Sequence, residues 1–492
     1  MTGFIDLRSR RGVSVWLIPF LWTVALGLWG LSRKGSVWRD EAATWQVALR
    51  PTSDITRMLE HVDVVHALYY LFMHALFECF GPSITVLRLP SVLAVAAGAA
   101  CVAELGRRLS GNPVGLGAGM AFGLLPSVQF YLQEGRPYAL VAAGAGLSTL
   151  LLVAMLQGRR NRWGYWTAYG CTVFVCGLLN WLSLLILPAH LATLAWARAT
   201  RGTWVCWNAS SVAATAAVTP LILFSRTQSG QVSWIPPLTW HMLIGPAVLL
   251  VIAGVGTLLD GPRAGRLSAA AVGLPLLAVP QLGLVGLSLF KPLFVDRYVL
   301  FSLLGLALMI GVLLGALVGA VQRRSWSAAR WVLPFAVAVA SLVLLPQALA
   351  KRSPQSRVDD VLAAAAQVER LKKSGDAVLF VPAARRDTRL VSPHAFTGLQ
   401  DIALEETPER SGTLKGVEWD AARIRTELLA RQRIVLVTDA EDVAKSASSA
   451  RDRAKISTLR EYFRPVADEQ VRGRRVTVYE RRTPGRPSGP RA

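Results

Sequence analysis

Repeated runs of apolar residues constrain the fold of this chain more than any other feature. Runs of roughly 17 to 22 mainly apolar residues recur from near the N-terminus to about residue 350, which is the length that a helix needs to cross a bilayer. More than half of the residues (53%) are hydrophobic, and the mean hydropathy is +0.41. The sequence therefore predicts an α-helical polytopic membrane protein.

Eleven of these runs are predicted to cross the membrane. The segment at residues 64–80 is short and carries ionisable residues near both ends, so we predict that it lies at the interface or re-enters the membrane. The predicted crossings are residues 13–31, 84–105, 114–132, 139–156, 164–179, 182–197, 204–224, 239–258, 267–289, 299–321 and 331–349.

Basic residues in the loops predict the orientation. Arg8, Arg10 and Arg11 precede the first crossing and favour a cytoplasmic N-terminus, and the basic stretches at 159–162, 198–201, 263–266 and 323–324 then share that side. The loop after the first crossing and the C-terminal part become extracytoplasmic, in the plasma membrane. The net charge of +22 could indicate a nucleic-acid partner. However, no nucleic-acid motif is present, and basic loops instead indicate contact with membrane lipids.

The character of the chain changes after residue 350, where 20 of its 31 acidic residues lie. The segment 356–373 predicts an amphipathic helix, and the segments 376–382, 433–438 and 476–479 predict short buried strands. We therefore divide the chain into a membrane domain at 1–350, a small extracytoplasmic α/β domain at 351–482 and a disordered tail at 483–492.

The segment 37–46, just after the first apolar run, carries two adjacent carboxylates between tryptophans. Its spacing predicts a short amphipathic helix along the bilayer, with Asp40 near its start and Thr44 on the same face. Asp40 and Glu41 are candidate catalytic acids. Alternatively, they only complement the positive end of the helix dipole.

Three further polar stretches are predicted to lie on the same side of the membrane. One surrounds His66, the second carries Glu134, Arg136 and Tyr138, and the third is at residues 291–298. Each stretch alone is consistent with a local ion pair or an interfacial histidine. Four such stretches on one side favour a shared cavity. The candidate binding residues are His66, Glu134, Arg136, Tyr138, Lys291, Arg297 and Tyr298.

The polar stretches resemble those of the GT-C superfamily of membrane glycosyltransferases, in its family-39-like, protein mannosyltransferase and ArnT-related branch. The resemblance covers about residues 10–320 in consistent order. The segments that carry it are 39–44, 66–71, 87–91, 134–140 and 296–298.

The resemblance implies transfer of a mannose-like or other hexose or pentose from a polyprenyl-phosphate donor on the extracytoplasmic face. The acceptor would be a protein, a lipid or a cell-wall glycan. Asp40 matches the catalytic carboxylate of the family, with Glu41 completing the acidic pair, and Arg297 matches a basic position suited to the lipid phosphate. Glu134 and His66 match metal or donor-phosphate contacts, so a divalent Mg or Mn ion is a possible cofactor. The chain lacks the usual prolines after His66.

The chemistry of sugar transfer supports the same assignment. A carboxylate can take the proton of the acceptor, and an arginine can hold the leaving phosphate through two hydrogen bonds. Direct displacement by the acceptor would invert the anomeric centre. Two alternatives remain, a lipid or glycolipid transporter or flippase without transferase activity and a non-catalytic membrane scaffold. The chain shows no internal repeat of the kind many transporters have.

Overall fold

The computed structural model describes residues 7–158, 162–228, 234–260, 266–444 and 449–482. Arg159, Arg160, Asn161, Arg263 and the predicted tail at 483–492 lie outside this part of the chain. The described residues divide into two units. The membrane unit comprises the residues up to Leu31 together with Asp63–Tyr69 and Thr85–Lys351. The sheet unit comprises Ser32–Val62, Tyr70–Ile84 and the residues from Arg352 onward.

Helices account for most of the described residues before residue 352. They are α1 (Leu7–Leu28), α2 (Arg39–Ala48), α3 (Thr52–His61), α4 (Ala67–Phe80), α5 (Ile84–Ser110), α6 (Asn112–Leu124), α7 (Pro126–Tyr131), α8 (Tyr138–Leu156), α9 (Arg162–Leu179), α10 (Ile186–Trp196), α11 (Arg201–Thr227), α12 (Ile244–Asp260), α13 (Ala269–Phe290), α14 (Leu303–Gln322) and α15 (Trp326–Lys351). Short 3-10 turns precede α4, α10, α12 and α14.

Eight helices within the described residues are long and apolar enough to cross a membrane. They lie at Val15–Gly35, Ile84–Ser110, Tyr138–Leu156, Arg201–Thr227, Trp240–Asp260, Ala269–Phe290, Asp296–Gln322 and Trp326–Lys351. The polytopic helical fold is therefore confirmed, whereas the count of eleven crossings stays a prediction. The predicted crossing at 114–132 is divided into α6 and α7, because Leu125 is extended and Pro126 cannot donate a backbone hydrogen bond to continue α6.

Glycines allow the long helices of the membrane unit to pack closely. A Cβ on Gly305 in α14 would lie 2.3 Å from the carbonyl oxygen of Gly273 in α13. A Cβ on Gly311 would lie 2.5 Å from the carbonyl oxygen of Val114 in α6. Since no side chain can occupy these positions, backbone contacts between α14 and its neighbours hold the ends of the helices in register.

The C-terminal part of the sheet unit is a small α/β domain. Its helices are α16 (Val361–Leu371), α17 (Asp387–Val391), α18 (Pro408–Ser411), α19 (Ala421–Leu429) and α20 (Ala450–Tyr462). Its strands are β1 (Ala377–Val381), β2 (Gln400–Asp401), β3 (Leu404–Glu406), β4 (Val417–Glu418), β5 (Arg433–Asp439), β6 (Phe463–Val471) and β7 (Arg474–Arg481). The predicted C-terminal α/β domain is confirmed.

The main sheet has the strand order β2-β1-β5-β7-β6. Strands β2, β1 and β5 are parallel, and β7 runs antiparallel to β5 and β6. Alternate residues of β1 enter cores on opposite faces, with Val378 and Phe380 packing beside Val368 of α16, and Ala377 and Leu379 packing with α19 and α20. Burial on both faces explains why these strands read as continuous apolar runs.

Candidate functional site

A cluster of basic and aromatic side chains forms in the membrane unit where three of the predicted polar stretches meet. Nη2 of Arg136 lies 2.8 Å from Nε2 of His66, although the two residues are 70 positions apart. The pKa of His66 lies well below its usual range. Burial is the main cause, and the positive charges of Arg136 and Arg297 lower the pKa further. The imidazole is therefore neutral at pH 7 and accepts the hydrogen bond from Arg136.

Arg297 completes this cluster from the 3-10 turn before α14. Its guanidinium carbon lies 5.6 Å from the ring centre of Tyr138, 5.5 Å from that of Trp234 and 6.0 Å from that of Tyr298. Rings at these distances attract a cation through their π faces and limit its motion. We call His66, Arg136, Tyr138, Arg297 and Tyr298 the arginine cluster.

The loop before α8 is held in place by backbone contacts. The hydroxyl of Ser91 donates to the carbonyl oxygen of Glu134 at 2.5 Å, and the N–H of Arg136 donates to the same oxygen at 2.9 Å. Gly135 has no room for a side chain, because its Cβ would lie 2.5 Å from Leu87. This packing fixes the point from which Arg136 extends toward His66.

Asp296 is tied to the same region through Tyr131. The hydroxyl of Tyr131 donates to Oδ1 of Asp296 at 3.2 Å, and the backbone N–H of Arg297 donates to that oxygen at 2.8 Å. Asp296 therefore orients the turn that carries Arg297.

The two candidate catalytic acids belong to the sheet unit, on α2. Asp40 is partly exposed in the first turn of this helix, whereas Glu41 is fully buried. Nη2 of Arg33 lies 3.0 Å from Oε1 of Glu41, and both side chains are completely shielded from solvent. A buried, paired carboxylate is a poor proton acceptor for a substrate, so Glu41 is better suited to holding the loop than to catalysis. The role of Asp40 as the reactive acid stays a prediction.

The predicted metal ligands do not form a metal site here. Nε2 of His66, one of the two ring nitrogens that can bind a metal, already contacts the Arg136 guanidinium, and Arg297 adds a second positive charge nearby. Glu134, the other predicted metal ligand, is buried, with 1% of its surface exposed. No group of three or more His, Cys, Asp and Glu side chains arranged to hold an ion occurs in the described ranges. Use of Mg or Mn stays a prediction.

Comparison with known proteins by sequence finds neither a matching family model nor a matching curated protein. Comparison by structure gives extensive matches. ArnT from Cupriavidus metallidurans in the apo state superposes with a TM-score of 0.59 at 12% identity, over 95% of this chain and 98% of ArnT. The chain has the fold of ArnT. The ArnT-like fold expected from the sequence is therefore confirmed.

Two further solved structures give the same result. ArnT bound to undecaprenyl phosphate matches with a TM-score of 0.57 at 14% identity, over 94% of this chain and 98% of ArnT. The archaeal oligosaccharyltransferase AglB from Archaeoglobus fulgidus, in complex with an inhibitory peptide and a dolichol-phosphate, matches with a TM-score of 0.53 at 12% identity. That match covers 98% of this chain and 76% of AglB. At these identities, the likeness to ArnT and AglB establishes the fold.

Within this ArnT-like fold, the predicted site residues are placed as follows. His66, Arg136, Tyr138, Arg297 and Tyr298 come together, and Glu134 lies on the loop that supports them. Lys291 is exposed at the C-terminal end of α13, five residues before the turn of Arg297. Sequence reasoning missed Trp234, Ser91 and Tyr131 as parts of the site. Ser91 stands in a stretch that carries the family resemblance, but nothing in the sequence links Trp234 to Arg297.

Proposed function

We propose that the protein is a membrane glycosyltransferase that moves a sugar from a polyprenyl-phosphate donor to an acceptor on the extracytoplasmic face. The observation that carries this proposal is the arginine cluster in an ArnT-like fold. Two guanidinium groups beside a neutral imidazole provide positive charge and planar donors for a phosphate. The structural relatives ArnT and AglB were solved with undecaprenyl phosphate and a dolichol-phosphate, which supports a donor of that class.

In the proposed reaction, the acceptor oxygen attacks the anomeric carbon while the bond from that carbon to the phosphate oxygen breaks. The leaving phosphate keeps the electron pair, and Arg136 and Arg297 stabilise its negative charge. Asp40 takes the proton of the acceptor as general base. A single displacement inverts the anomeric centre.

The arginine cluster also has features suited to the sugar. Tyr138 and Tyr298 lie 6.1 Å apart between ring centres, next to Arg297. Aromatic faces can pack against the apolar C–H face of a sugar ring while their hydroxyls bond to its oxygens. We propose a hexose or pentose as the transferred group, mannose among them, and a protein, lipid or cell-wall glycan as the acceptor.

The test is sugar transfer by the purified full-length protein from a panel of labelled polyprenyl-phosphate sugars to membrane acceptors. The decisive variant is Asp40→Asn, which keeps the size of the side chain but cannot accept the proton. Turnover should fall by roughly 10²–10⁴-fold while donor binding survives. A helix cap would behave differently, because Asn caps a helix as well as Asp does.

Asp54→Asn is the matched control. Asp54 also lies in the first turn of a short helix of the sheet unit, where it pairs with Arg57 at 3.2 Å. This variant should retain wild-type turnover. Normal turnover by Asp40→Asn would refute the assignment of the base. Movement of labelled lipid between leaflets without any transfer would support the flippase alternative instead.

A further inference from the structure

The helix that carries Asp40 is capped by a residue from the other end of the chain. Trp38 occupies the N-cap position of α2 and provides no side-chain acceptor. Oδ1 of Asp359 accepts a hydrogen bond from the backbone N–H of Arg39 at 3.0 Å, across 320 positions of sequence. Oδ2 of the same carboxylate lies 3.3 Å from Nε of Arg39. Asp359 therefore replaces the missing cap and adds a negative charge at the positive end of the helix.

Asp359 is itself held rigidly. Nε and Nη2 of Arg474 donate to its Oδ2 at 3.0 and 2.9 Å, and both side chains are completely buried. Arg474 also donates to the two carboxylate oxygens of Asp387 at 2.8 Å each and to the hydroxyl of Thr388 at 3.1 Å. Burial would raise the pKa of Asp387, but Arg474 outweighs this effect and the pKa lies below its usual range. Asp387 and Arg474 thus form an ionised pair at neutral pH.

A backbone hydrogen bond and an apolar cluster also join the segment before α2 to the start of α16. The N–H of Val361 donates to the carbonyl oxygen of Val37 at 2.7 Å. Val37 and Ala42 pack in one apolar cluster with Val361 and Val391. The neighbouring Asp360 caps α16 through the N–H of Ala363 at 3.1 Å, so two consecutive aspartates cap two different helices.

We propose that Asp359, held by Arg474, is a positioning residue for Asp40. By fixing the first turn of α2 it sets the place and direction of the neighbouring carboxylate. A general base must lie within hydrogen-bond reach of the proton that it removes, and a displacement of about 1 Å can cost roughly 100-fold in rate. This inference rests on the proposed function, in which Asp40 is the base.

The experiment compares Asp359→Ala and Asp359→Asn with the wild-type enzyme, in protein that is monodisperse and has a normal melting temperature. Asp359→Ala removes the cap and should lower kcat by roughly 10–100-fold, while the KM for the donor stays within about twofold. Asp359→Asn keeps one oxygen for the N–H of Arg39 but loses the charge. It should lower kcat by roughly 3–10-fold, which is a partial rescue.

Asp439→Asn is the matched control. Asp439 is a nearly buried carboxylate of the sheet unit that binds Arg385 through both oxygens at 2.5 and 2.9 Å. Loss of this pair should lower stability without a change in kcat of the folded protein. This control distinguishes the effect of breaking any buried ion pair from the effect of displacing the first turn of α2.

The outcomes distinguish this inference from the proposed function. If Asp40→Asn is inactive while a folded Asp359→Ala or Asp359→Asn enzyme keeps the wild-type kcat, the positioning role is refuted and the transferase assignment stands. If Asp359→Ala does not fold, the kcat of Asp359→Asn decides. If the wild-type enzyme transfers no sugar from any donor, the proposed function itself fails.

Discussion

At the scale of single residues, Arg297 shows how the surroundings select one basic side chain over another. Its guanidinium lies near the faces of Tyr138, Trp234 and Tyr298, which restrict its motion. A lysine at this position would keep the charge but lose the planar pair of donors.

Replacement of Arg297 by Lys should therefore weaken the interaction with the donor phosphate. Loss of a charge-assisted hydrogen bond of about 1.5–3 kcal/mol corresponds to a rise of roughly 10–100-fold in the apparent KM for the donor. The abundance and melting temperature of the protein should stay near normal. The measurement is the donor dependence of the transfer rate.

Arg226→Lys is a suitable control, because Arg226 is exposed on α11 of the same unit. It should leave the donor dependence unchanged. An unchanged KM for Arg297→Lys would show that Arg297 does not bind the phosphate through its planar pair of donors.

At the scale of elements, α14 depends on small residues for its position. Gly305 approaches the backbone of α13 so closely that an added Cβ would also lie 2.6 Å from the N atom of Leu277. The buried residues Val299 and Leu300 belong to the same 3-10 turn as Arg297, and this turn leads directly into α14. A shift of α14 would therefore move the arginine cluster.

Gly305→Val should force α13 and α14 apart and destabilise the membrane unit by about 1–3 kcal/mol, as overpacked cores do. The expected result is a lower melting temperature in detergent and weaker donor binding. Gly286→Val in α13 is the control, because nothing lies within 4 Å of a Cβ at that position. Equal melting temperatures for the two variants would contradict the packing argument.

The sequence predicted elements well where burial gave a clear pattern. Strands β1, β5 and β7 were expected near their observed bounds, because apolar side chains recur along each. Strand β6 was not expected, since its residues are mostly exposed and include Arg464, Asp468 and Glu469, as suits an edge strand. Strands β2, β3 and β4 contain only two or three residues each, too few for any periodicity to show.

The site residues were predicted as members of separate stretches, but their contacts were not. The hydrogen bond between Arg136 and His66 joins residues 70 positions apart in the sequence. The hydrogen bond by which Asp359 caps α2 joins residues 320 positions apart. No local spacing rule reaches over such distances. The sequence also treated Asp40 and Glu41 as one acidic pair, whereas the structure places them in different environments, with only Glu41 buried against Arg33.

At the scale of the whole molecule, the sheet unit combines segments from both ends of the chain. Residues 32–62 and 70–84 group with the residues after 351, although the sequence assigned them to the membrane domain. The ion pair between Arg39 and Asp359 joins the two ends, so the loop at 32–62 and the C-terminal domain must lie on the same side of the membrane. The orientation predicted from the basic loops places them on the same side.

Protease added to sealed spheroplasts should therefore remove an epitope tag fused after residue 492. A tag inserted at residues 323–324, in a predicted cytoplasmic loop, should survive until the cells are lysed. The measurement is an immunoblot for each tag before and after lysis. Digestion of the C-terminal tag only after lysis would place Asp40 in the cytoplasm and contradict transfer on the outer face.

The cap on α2 also has a consequence for the order of events during biosynthesis. Asp359 follows Arg39 by 320 residues, and a ribosome adds about 5–20 residues per second, so the cap is synthesised roughly 16–64 s after the helix that it completes. During that interval most of the bilayer helices emerge and insert. The newborn protein thus acquires the cap on α2 only after α15, the last long apolar helix in the described residues, has been synthesised, and an interrupted chain never does.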